Sequence, residues 1–119
     1  MFVLSAWRIA FGAYFVLLSW QLLTPVTIVS AGNWDKLIHF SGFFVLGGLA
    51  ILAGRSIQAP RLILTLIIYA ALTEILQHFI PGRSFSVLDW VADSLGVLVA
   101  VLSGLYVLHR FQFLMLKPN

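Results

Sequence analysis

Apolar residues run along this chain in four long stretches, separated by short polar breaks. The stretches cover about residues 6–23, 37–53, 62–80 and 87–108. They stop at Thr24-Pro25, Gly54-Arg55, Pro81-Gly82 and His109-Arg110. Each is near the length of about 20 residues that a helix needs to cross the hydrocarbon core of a bilayer. The second is the shortest and has room to extend back into Trp34-Asp35-Lys36. The connections are brief, and there is no internal repeat or low-complexity segment. The pattern predicts an all-α fold: an integral membrane bundle of four transmembrane helices, one domain over residues 1–119.

Composition supports the same picture. Hydrophobic residues make up 61% of the 119, charged residues 9%, and the mean hydropathy is +1.04. Ordinary soluble domains carry about 25% charged residues. A chain this short buries too small a fraction of its surface to hide so much apolar area from water. Lipid removes that requirement. The basic balance does not indicate a nucleic-acid partner, because the seven Lys and Arg are scattered. The absence of Cys excludes disulfides and Cys-ligated zinc. Val29-Ser30-Ala31 offers small residues that suit a signal peptidase. The apolar run before it is long for a signal peptide and has only Arg8 as a basic flank, so a retained first helix is expected.

Lys and Arg also set an orientation. Arg8, Arg55, Arg61, Arg110 and Lys117 would share one side, against Lys36 and Arg83 on the other. This places both termini in the cytoplasm and turns Thr24–Lys36 and Pro81–Ser86 outward. Trp34 and Trp90 are expected in an outer interfacial belt, and Trp7 in the inner one.

The remaining polar residues are segregated. The four acids, Asp35, Glu74, Asp89 and Asp93, all lie near the expected outer ends of spans, as do His39, His78 and Arg83. Asp35 and His39, Glu74 and His78, and Asp89 and Asp93 are spaced i,i+4, which puts each pair on one helix face. A lipid-facing ionisable group costs about 2.5–3.5 kcal/mol at mid-span. The faces are therefore expected to turn inward and form one polar cluster. Glu74, seven residues before Pro81, would lie roughly 10 Å below the loop. Gln77 would reach into the cluster from one turn above it. The second and fourth helices start at this end, so their positive dipole ends face the same region.

Several of these residues also have plainer roles. Ser86-Val87-Leu88-Asp89 fits an N-capping box. Asp35 suits a first helical turn, and Lys36 suits an interface. Arg83 suits a loop charge or a partner for Asp89. His39 and His78 suit hydrogen-bonded packing, and His109 a helix end. Gly42, Gly47, Gly48, Gly96 and Gly104 suit close helix approach. Glu74 is the hardest to explain without a function, since an intramembrane carboxylate marks a candidate site.

The same residues carry a resemblance. Asp35-Lys36-Leu37-Ile38-His39-Phe40, Glu74-Ile75-Leu76-Gln77, Pro81-Gly82-Arg83 and Asp89 through Gly96 resemble the VanZ-like family in order and spacing. That family's pattern is roughly D-K-x-x-H-F, E-x-x-Q, P-G-R-x-x-x-x-x-D and x-x-N-x-x-G. Asp93 departs from it, standing where the family often has Asn. The resemblance spans about Asp35 to Gly96 and implies a multi-pass protein of the bacterial inner membrane and cell envelope. The founding member is associated with teicoplanin resistance, which is not carried over to this chain. His78 lies outside the motif.

Two uses of the cluster follow. As a binding or accessory protein, the chain would hold an anionic envelope lipid or lipid-linked precursor through Lys36, Arg83, Gln77, Asp35 and Asp93. As an enzyme, it would apply acid–base chemistry at Glu74 and His39, with Asp89 assisting. A purely structural polar network is a third use. No cofactor is required, although a divalent metal held by His and carboxylates stays open. Expected partners are membrane lipids, a second copy of the chain or another membrane protein.

Overall fold

The computed structural model describes residues 2–25, 33–54 and 58–115. Val29-Ser30-Ala31, Arg55 and Lys117 lie outside the described residues. Four helices follow one another: α1 (Phe2–Leu23), α2 (Asn33–Ala53), α3 (Ala59–Gln77) and α4 (Val87–Met115). All four are long and apolar enough to cross a membrane. Five of the helix boundaries differ from the hydropathy reading: α1 and α3 start earlier, at Phe2 and Ala59, and three others also move. α2 takes in Trp34-Asp35-Lys36, α3 ends at Gln77 instead of Ile80, and α4 continues to Met115. Hydropathy marks where polar residues begin, whereas a helix goes on while its backbone bonds are satisfied.

Up-down connectivity brings the ends of α1 and α3 together with the starts of α2 and α4. α2 and α4 pack most extensively, α1 lies against α2, and α3 lies against α4. Phe43, Leu46, Val97 and Val101 fill the α2–α4 seam and are fully buried. Gly96 allows the close approach: a Cβ there would lie 2.3 Å from the Phe40 carbonyl oxygen. Gly47 packs against Ala100 and Gly104 against Ile51. Gly48 has nothing within 4 Å, so the close-approach role expected of it does not hold.

α1 is held by hydrogen bonds to backbone as well as by packing. Arg8 Nε donates to the Ala53 carbonyl at one end, and Tyr14 Oη donates to the Gly42 carbonyl mid-helix. Ser19 and Tyr69 share a hydrogen bond of 2.7 Å. Trp34 is 69% exposed, as an interfacial residue should be. Trp90, expected in the same belt, also makes contacts inside the bundle. It is half-buried against the core and donates Nε1–H to the Ile67 carbonyl, joining α4 to α3.

Candidate functional site

α2, α3 and α4 each deliver ionisable side chains to one place near the end where α2 and α4 begin. His39 Nδ1 lies 3.0 Å from Asp93 Oδ1 and 3.8 Å from Glu74 Oε1. Glu74 and Asp93 have no exposed surface, and His39 has very little. Glu74 Oε2 accepts the Ser86 backbone N–H at 3.0 Å. Asp89 is buried beside them and forms an ion pair with Lys36 at 3.5 Å, too long for a hydrogen bond to its Oδ1. Asp35, half-buried, brings a carboxylate oxygen within 4.8 Å of ligand atoms on His39 and Asp89.

The depth of Glu74 differs from the expectation. α3 ends at Gln77, so Glu74 is in the last helical turn and its carboxylate meets the start of α4 directly. His78 does not join the cluster. The chain tightens past Gln77, with the His78 N–H bonding back to Ile75. This breaks the i,i+4 alignment, and the His78 ring is exposed, edge-on to Phe79.

Two residues expected in the cluster serve α1 instead. Gln77 Nε2 donates to the Leu22 carbonyl at 3.0 Å. Arg83 does not pair with Asp89. Its Nε donates to the Thr24 carbonyl at 2.8 Å and its Nη2 to the Gln21 carbonyl at 2.5 Å. The turn explains the reach. Gly82 has φ 80°, and the Arg83 N–H bonds to the Ile80 carbonyl, so Pro81-Gly82 forms a type II turn that carries Arg83 back toward α1. Burial holds the guanidinium below the ordinary arginine value, and nearby Asp35 and Glu74 push it back up. At so high a starting value it stays charged.

Beside the cluster, between α1 and α2, lies a partly open crevice of about 530 Å³. Leu18, Leu22, Ile38 and Phe43 give it apolar walls, while His39, Asp35 and Arg83 supply its polar side. Sequence reasoning did not find these apolar walls. Phe43, one turn beyond His39 on the same face of α2, was the available signal.

The VanZ/LLP1 family model matches residues 3–110. The chain belongs to the VanZ/LLP1 family. The match takes in most of all four helices, well beyond the motif residues themselves. No curated protein matches the chain, and no solved structure does. In this VanZ/LLP1 protein six of the polar motif residues divide into two groups. His39, Glu74, Asp89 and Asp93 meet in the buried cluster, whereas Gln77 and Arg83 hold the end of α1.

Proposed function

We propose that the protein is a binding or accessory component of the bacterial cell envelope. In this reading an anionic envelope lipid or lipid-linked precursor sits in the crevice between α1 and α2. The crevice carries the reading: an apolar wall meets Arg83, Asp35 and His39 in one cavity, as an amphiphile's tail and headgroup require. Its volume is within the roughly 300–1,000 Å³ of small-molecule pockets. Lys36, Arg83 and the N-termini of α2 and α4 favour a negative headgroup. The distribution of Lys and Arg supports an outward-facing crevice in the inner membrane, with both termini cytoplasmic.

Native mass spectrometry of protein from mixed phosphatidylglycerol–phosphatidylcholine nanodiscs tests this. Phosphatidylglycerol retention is expected in the wild type and reduced in Ile38→Trp, which fills the crevice. Equal retention of both lipids, or retention unaffected by Ile38→Trp, would sink the reading.

A catalytic reading is favoured by one contact. Asp93 orients the His39 imidazole beside Glu74, an arrangement suited to proton transfer. It requires the recovered lipid to be chemically altered by the wild type and unaltered by Glu74→Gln. A purely structural network instead requires every cluster substitution to lower the melting point, with no lipid retained.

A further inference from the structure

The buried cluster has more oxygen acceptors than donors to satisfy them. Among the described residues, Glu74 Oε1 and Asp93 Oδ2 have no hydrogen-bond partner, and both side chains are fully enclosed. Buried polar atoms are rarely left in this state, and a cation held between them would satisfy both. A protonated His39 balances one carboxylate, whereas a divalent ion balances both. Lys36 and Arg83 do not fill the gap, since Lys36 is ion-paired with Asp89 and Arg83 hydrogen-bonds to α1.

We propose that His39, Glu74 and Asp93 form a site for a divalent first-row metal ion of the zinc or manganese class. Ligand atoms of the three lie within 4.8 Å of one another, and His39 Nδ1 is 3.0 Å from Asp93 Oδ1. Ligands at about 2.0–2.2 Å from a shared ion stand roughly 3–3.5 Å apart, so side-chain adjustment closes the sphere. One imidazole with two carboxylates is a borderline-to-hard donor set that suits zinc, manganese or iron, and it offers too few oxygens for calcium. His39 also lines the crevice, so the ion has a route in and three protein ligands leave coordination positions open. A second group, Asp35, His39 and Asp89, shares the imidazole. Its Asp89 is already ion-paired and its Asp35 half-exposed, so the enclosed trio is the site.

The inference does not depend on lipid binding, and its test uses metal alone. Full-length protein in detergent, stripped with chelator, is titrated with Zn²⁺ and Mn²⁺, and Co²⁺ absorption reports the ligand field. About one equivalent per chain is expected. Glu74→Gln and Asp93→Asn should weaken binding by at least about 100-fold, given that even outer hydrogen-bond partners are worth roughly 10–100-fold. A His78→Gln/His109→Gln double variant changes only exposed residues and leaves His39 as the sole histidine. It should keep the wild-type stoichiometry and Co²⁺ spectrum. No stoichiometric binding by the wild type, or loss of binding in this double variant, would overturn the proposal. So would Glu74→Gln and Asp93→Asn proteins that bind as the wild type does.

Discussion

Ser86 donates its backbone N–H to Glu74 Oε2 across the α3–α4 junction, at 3.0 Å. Ser86 is the N-cap of α4, and its Oγ accepts the Asp89 N–H at 3.2 Å. In a reciprocal capping box the acid at the third helical position would accept the N-cap N–H. Here a carboxylate from the preceding helix takes that role. Asp89 is thereby free to pair with Lys36. One bond thus caps α4, fixes the last turn of α3 and holds Glu74 beside His39.

This bond separates two substitutions of Glu74. Gln keeps an oxygen acceptor for Ser86, whereas Ala leaves the N–H without one. Glu74→Gln is expected to melt within about 1 kcal/mol of the wild type, and Glu74→Ala to lose roughly 1–3 kcal/mol. Thermal unfolding in detergent compares them. Equal losses would show that the Ser86 bond does not matter to stability.

At Gly96 a methyl group would collide with α2 backbone, 2.3 Å from the Phe40 carbonyl oxygen and 3.0 Å from the Phe44 nitrogen. Backbone cannot swing aside as a side chain does. Gly96→Ala is expected to cost about 1–3 kcal/mol or more, while Gly48→Ala, with open space around it, stays near the wild type. The pair of melting points checks the α2–α4 seam.

The two α1 contacts of Arg83 come from different nitrogens of one planar fork, which Lys lacks. Arg83→Lys should therefore loosen the last turn of α1. Hydrogen exchange at Gln21–Leu23 should rise, with exchange in α2 and α4 unchanged. Gln77→Leu should act at the same turn, through loss of the Leu22 bond.

Lys36 pairs with Asp89 from a side chain that is 42% exposed. Such pairs contribute about 0–1 kcal/mol after screening. Lys36→Met is expected to shift the melting point little, and less still in high salt. A large loss would mean that the Lys36 charge is felt deeper in the cluster.

The helices were legible in the sequence because membrane spans leave a strong apolar signature. So was the convergence of Glu74, His39, Asp89 and Asp93, since spacing and the cost of a lipid-facing charge both point inward. Individual bonds were not legible. Gln77 shares α3 with Glu74, yet it turns to α1, because three residues on a 3.6-residue turn point the two side chains roughly 60° apart. The bonds of Arg83 to α1, in place of a pairing with Asp89, were hidden for a related reason. Its direction follows from the Pro81-Gly82 turn, and loop geometry is not encoded in hydropathy. The bond of Trp90 to α3 was hidden as well, since a residue type does not name its neighbour.

The grip on the end of α1 bears on how the protein is made. α1 is synthesised before α3, and the donors that meet the Gln21, Leu22 and Thr24 carbonyls come from Gln77 and Arg83, more than fifty residues later. During insertion those carbonyls depend on interfacial water and lipid headgroups until α3 and the turn after it emerge. The end of α1 is therefore locked in place only after α3 and the turn beyond it are made.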